Sequence, residues 1–100
     1  MIGRQVVTTF DYGAFEWDAS KAAYNERKHG VTFPEAATVF SDPRAIDAPD
    51  LVEPNRFVII GMSQLARILF VIFAERSDRI RIVSARQATA AQRRKYEKEA

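Results

Sequence analysis

Arg76, Arg79 and Arg81 crowd into the stretch "ERSDRIRIVSAR", with Glu75 beside them and Arg86 at its end. A guanidinium keeps its charge at any relevant pH, and its planar fork donates paired hydrogen bonds to phosphate oxygens. The cluster therefore suits a phosphodiester. If that bond lies beside a ribose 2′-hydroxyl, as in RNA, its cleavage without a metal would need a base, cations to hold the charge that develops on phosphorus, and an acid for the leaving oxygen. Arg76, Arg79 and Arg81 are candidates for the cations and Glu75 for the base. Strict strand alternation points Glu75 away from Arg76 and Arg81, unless a bulge turns it. The competing structural role is a solvated strand face whose arginines pair with Glu75 and Asp78.

A second candidate pair, Lys28 and His29, sits in "NERKHGVTF". Histidine both gives and accepts protons near neutral pH, so His29 could act as acid or base and Lys28 as a phosphate contact. Both also fit the last turn of a helix, where cations meet the negative end of the dipole and its free carbonyls.

These groups must be held by secondary structure, and the chain shows which. "AFEW" reads as a first strand; Asp18 is placed to cap a helix over about 19–29, with Gly30 just past its end. Thr32 and Glu35 have capping-box spacing, Pro34 lies in the first turn, and Phe33, Ala36, Ala37 and Phe40 recur at helical spacing, predicting a short helix over about 33–40. "SDPRAIDAPD" breaks the helix and holds a short edge strand around 45–48. "RFVIIGMS", "ARILFVIFAE" and "RIRIVSAR" read as three strands, the last two joined by a two-residue turn at Ser77 and Asp78.

In that hairpin Arg76 opposes Arg79, Ala74 opposes Arg81, Ile72 opposes Val83 and Phe70 opposes Ala85. Arg86 and Arg67 then fall on the face of Ile80, Ile82 and Ser84, where Arg86 either contacts RNA or tethers the last helix. That helix, about 90–99, opens on a second capping box, Thr89 and Gln92, and has a thin apolar stripe of Ala91 and Tyr96. Trp17, Phe15, Phe33 and Phe40 fit core positions better than base-stacking platforms. The order β-α-α-β-β-β-β-α predicts an α+β fold of two layers, an antiparallel sheet with helices packed on one face.

One hundred residues support one domain. The chain has no cysteine and one histidine, so neither a disulfide framework nor a dedicated zinc site is expected, no cofactor is called for, and a reducing cytoplasm is the simplest home. No apolar run approaches the length of a membrane span, and "MIGRQVVTTFDYG" lacks the continuous apolar core and cleavage site of a signal peptide, so a soluble protein made without export is expected. Residues 1–66 carry six Lys/Arg against nine Asp/Glu, and residues 67–100 carry nine against four. The C-terminal third is thus a cationic half facing a polyanion such as RNA or an acidic partner, or else plain solvent.

Together, "FEWDASKAAYNERKHGVTFPEAATVFSDP", "ERSDRIRIVSARQAT" and "RRKYE" closely resemble the BrnT family, ribonuclease toxins of bacterial type II toxin–antitoxin systems. The resemblance covers residues 15–97 and leaves 1–14 as an N-terminal extension, either flexible or a short added strand. It implies a RelE-like architecture, metal-independent RNA cleavage, and a BrnA-like antitoxin with a ribbon-helix-helix part. A 2:2 heterotetramer with that antitoxin would repress the shared operon, touching DNA only through the partner. An interaction protein with little nuclease activity, acting as co-repressor, is the alternative, and direct DNA binding is the weaker third because no groove-reading motif is visible. The turn is often Gly-Asp in relatives and is Ser-Asp here.

Overall fold

Asp18 ends one element and begins the next. Its extended backbone closes strand β2 (Phe15–Asp18), and its carboxylate accepts from the Lys21 N–H at 2.9 Å to start helix α1 (Ala19–His29). Gly30, left-handed at φ 69°, ends that helix by donating its N–H to the Glu26 carbonyl at 2.8 Å. Thr32 caps helix α2 (Phe33–Thr38), which tightens into a 3-10 turn at Val39–Ser41. Only half of that capping box forms: the Glu35 N–H bonds Thr32 Oγ1 at 3.2 Å, while the Glu35 carboxylate goes to Ser63 and Arg67 instead.

The computed structural model describes residues 9–99. Four strands follow the helix pair as edge strand β3 (Ile46–Pro49), β4 (Phe57–Met62), β5 (Ile68–Arg76) and β6 (Arg79–Gln87), and helix α3 (Ala90–Glu99) ends the chain. Thr9–Tyr12 form strand β1, a hairpin partner of β2, so part of the expected extension is an added strand; residues 1–8 lie outside the described residues. The sheet order is β1-β2-β6-β5-β4-β3. All neighbours are antiparallel except β2 and β6, whose parallel pairing sets Phe15 beside Ile80 and Glu16 beside Arg81. The α+β class and the element order are those predicted, with one parallel pair making the sheet mixed.

The core lies between the sheet and α1–α2. Trp17, Val31, Phe33, Val39, Leu69, Val71, Ile82 and Ala85 are buried in it, Phe33 edge-on to Trp17 at 5.9 Å, and Phe40 packs between Phe15 and Phe73. Gathering of helices on one face holds for α1 and α2. Helix α3 lies on the other face, where Tyr96 is buried with Ile60 and Ile68, residues that alternate against Ile59 and Leu69 of the main core. The reason is steric and apolar: α1 and α2 already fill the first face, and Ile60, Ile68 and Phe70 would otherwise stay in water.

The hairpin corrects the predicted register in its second half. Arg76 opposes Arg79 and Ala74 opposes Arg81 as expected, but the pairing shifts between Ile72 and Phe73, so that Ile72 opposes Ser84 and Phe70 opposes Arg86. The extra residue is a bulge. It lets both Ile82 (1% exposed) and Ala85 (0%) enter the same core, three residues apart, which a regular strand forbids. Asn25, buried on α1, secures Ala85: its amide donates to the Ala85 and Val31 carbonyls at 2.8 and 3.0 Å, and its oxygen accepts the Ala85 N–H at 3.0 Å.

Candidate arginine-lined nucleic-acid face

The bulge decides which arginines share a face. With Phe73, Ile80 and Ile82 turned into the main core, alternation puts Arg76, Arg79 and Arg81 on the opposite face of β5–β6, and the shifted register adds Ser84 and Arg86 to it. Regular pairing had assigned Arg86 and Ser84 to the helical face. Five polar or cationic side chains thus project from one side of a single hairpin.

A carboxylate that the linear sequence gives no reason to place there stands among them. Glu16 alternates with core residues Phe15 and Trp17 and so faces outward, and the parallel pairing of β2 with β6 sets it directly beside Arg81. Arg81 Nη1 donates to Glu16 Oε2 at 2.8 Å, and Arg76 Nη1 lies 3.9 Å from the same oxygen. The Glu16 side chain is 15% exposed and that of Arg76 53%. Arg79 Nη1 donates to the Gly13 carbonyl at 3.1 Å, so the tip of the hairpin is pinned to the turn between β1 and β2. Period-two alternation in "FEWD" could have pointed Glu16 outward; its neighbour on β6 could not have been read.

Arg86 performs the tethering role considered from sequence. Its guanidinium lies over the Phe70 ring at 4.4 Å and donates to Gln92 Oε1 and the Gln87 carbonyl, both at 3.1 Å. Gln92 also accepts the Thr89 N–H at 2.9 Å while Thr89 Oγ1 accepts the Gln92 N–H at 3.2 Å, a complete capping box. Tyr96 fastens the other end of α3 by donating to Asp42 Oδ2 at 2.7 Å. Burial and that carboxylate push the Tyr96 hydroxyl above its ordinary pKa. Burial also works against the charge on Asp42, but bonds from the Met62 N–H, the Tyr96 hydroxyl and the Arg44 N–H outweigh it and hold the carboxyl below the usual range.

The remaining predicted residues lie elsewhere. Glu75 opposes Ile80, is exposed, and projects to the side away from Arg76 and Arg81. Lys28 and His29 end α1 in the helical layer, across the sheet from the arginines; Lys28 lies over the Tyr24 ring at 5.6 Å and His29 is half-buried. Arg67 joins neither group. It donates to Glu35 through Nε at 3.0 Å and to the Gly30 carbonyl at 3.0 Å, and with Ser63 it holds the Glu35 carboxyl below its ordinary pKa. This clamp, with Glu35 buried and Arg67 partly exposed, ties the end of α1 to the start of β5. Among the described residues no three His, Cys, Asp or Glu side chains converge as a metal site requires, and no helix is long and apolar enough to cross a membrane.

A mixed sheet with α1 and α2 on one face, and the hairpin arginines and α3 on the other, defines a small α+β protein with a cationic patch. A family model described as "Ribonuclease toxin, BrnT, of type II toxin-antitoxin system" matches residues 17–92, and the chain belongs to that family. The fold is similar to the 1.1 Å crystal structure of the Brucella abortus ribonuclease toxin BrnT, with a TM-score of 0.61 and 28% identity over 73% of this chain and 92% of that one. Comparison with curated proteins gives no match.

Proposed function

We propose that the protein is a metal-independent endoribonuclease that holds RNA on the outer face of the β5–β6 hairpin and is neutralised by a cognate antitoxin. The observation that carries this reading is the convergence of Arg76, Arg79 and Arg81 on one sheet face, with the Glu16 carboxylate beside Arg81 and Arg76. Arginine forks supply the charge neutralisation that a metal gives other nucleases, and being fixed by strand pairing they need little reorganisation when charge develops on phosphorus. Arg86 extends the same cationic track but is committed mainly to α3.

The partner follows from the family's place in type II toxin–antitoxin systems. An acidic antitoxin segment across the arginine face would both shield the site and gain electrostatic complementarity. A ribbon-helix-helix antitoxin is dimeric, which gives the 2:2 assembly and puts DNA contact and operon repression on the partner.

The test is cleavage of end-labelled RNA in EDTA by wild type, Arg81→Ala and His29→Ala, each shown to be folded by circular dichroism. Wild type should cut, Arg81→Ala should lose at least about tenfold in kcat/KM, and His29→Ala should stay near wild type. A strong loss in His29→Ala alone would move the site to the helical layer. Folded wild type that leaves RNA intact would favour the co-repressor role.

A further inference from the structure

We infer that Glu16 is the general base of the reaction, an inference that rests on the reading of the arginine face as the RNA-cleaving site. Three observations single it out. Glu16 is in contact with two members of the arginine cluster, through Oε2 to Arg81 and Arg76. It is placed by backbone pairing, since Glu16 and Arg81 are register partners on parallel strands, and the Ile80 N–H bonds the Ala14 carbonyl at 2.9 Å just before that pair. And both arginines approach the same oxygen, Oε2, on a side chain that keeps 15% of its surface exposed, so a substrate can reach the carboxylate beside them. A phosphate gripped by Arg76 and Arg81 would therefore sit next to that carboxylate, which is where a ribose 2′-hydroxyl adjoining the scissile phosphate must lose its proton.

The step balances without a metal. The Glu16 carboxylate takes the 2′-hydroxyl proton as the O2′ electron pair forms a bond to phosphorus, and the arginines hold the charge on the non-bridging oxygens. The P–O5′ bond breaks with its pair on O5′, which takes a proton from water. The hydroxide so formed removes the proton from Glu16 and restores the carboxylate. The products are a 2′,3′-cyclic phosphate and a 5′-hydroxyl. Glu75, the carboxylate nearest the arginines in sequence, faces the other way and cannot take this part.

The alternative for Glu16 is a strut that only aims Arg81, and Glu16→Gln separates the two because glutamine keeps a carbonyl oxygen for Arg81 but is no base. The experiment compares wild type, Glu16→Gln and Glu16→Asp on end-labelled single-stranded RNA in EDTA. Binding is read separately by fluorescence anisotropy on the same RNA made uncleavable by 2′-O-methylation. If Glu16 is the base, Glu16→Gln lowers the cleavage rate by at least about 100-fold. Its affinity stays equal or rises, since a negative charge has left the phosphate seat. Glu16→Asp keeps part of the rate, and the wild-type rate climbs with pH along an acid limb that Glu16→Gln lacks. A folded Glu16→Gln that cuts within about threefold of wild type overturns the base and leaves the strut. So does a parallel loss of binding and rate. Should Glu16→Gln fail to fold, the wild-type profile decides, and a rate independent of pH across the carboxylate range overturns the proposal. Wild type that cuts nothing removes the site itself, an outcome distinct from an active enzyme with an active Glu16→Gln.

Discussion

Asn25 shows how one side chain can carry a strand. At Ala85 the bulged strand β6 has run past the short β2 that flanks it, and the Asn25 amide supplies the donor and acceptor that a neighbouring strand would have offered. Its removal orphans a buried N–H and a buried carbonyl together, each expensive to leave without a partner. Asn25→Ala should therefore lose about 2–3 kcal/mol of stability, read as a shift of the urea midpoint at unchanged slope. A loss near zero would mean that water replaces the amide. Glu35 is similar in kind: its spacing from Thr32 reads as a capping box, yet its carboxylate is drawn to Arg67 and Ser63, because a bidentate guanidinium outcompetes a backbone N–H.

Among the elements, the β5–β6 hairpin carries the proposed site, and its geometry is set at both ends. Ser77, at φ 56°, occupies a left-handed position in the two-residue turn, a conformation that costs a residue with a Cβ about 1 kcal/mol. Ser77→Gly should recover most of that and raise the melting temperature by roughly 5 °C in a domain of this size, without altering RNA affinity. A lower melting temperature would show that the serine hydroxyl contributes more than the backbone strain removes. At the far end the bulge turns Arg86 from the core face to the arginine face, where it holds α3 through Gln92.

For the molecule as a whole, charge is divided along the chain and again across the sheet. The net charge of +2 conceals a cationic C-terminal third, of which Arg76, Arg79, Arg81 and Arg86 collect on one side of β5–β6. Binding by such a face releases counterions from RNA. If Arg76, Arg79 and Arg81 each neutralise one phosphate, the affinity should fall with salt at a log–log slope of about −2 for single strands. Arg79→Ala should make that slope shallower by about 0.7, measured by anisotropy on uncleavable RNA across a salt series. An unchanged slope would place Arg79 off the phosphate track and leave it a structural role such as its bond to the Gly13 carbonyl.

What is local could be read along the chain. Asp18, Gly30, Thr32, Thr89 and the Ser77-Asp78 turn mark element ends through interactions spanning a few residues, and α1, α2, α3 and the first half of the hairpin lie where those signals put them. Trp17 and Phe33 were legible as core because their positions against the helix and strand periods leave no other face for them. Tertiary structure alone decided what depends on residues far apart in the chain. The parallel seam of β2 on β6 brings Glu16 to Arg81 across 65 positions, and no local pattern encodes a strand's neighbour. The bulge arises because Ile82 and Ala85 must both fill a core shaped by α1, and it alone moves Arg86 to the outer face. Helix α3 sits opposite its fellows because they had already taken the other side. In each case the deciding quantity is burial summed over elements that meet only after folding, which is why the arginines could be read from the chain while the carboxylate among them could not.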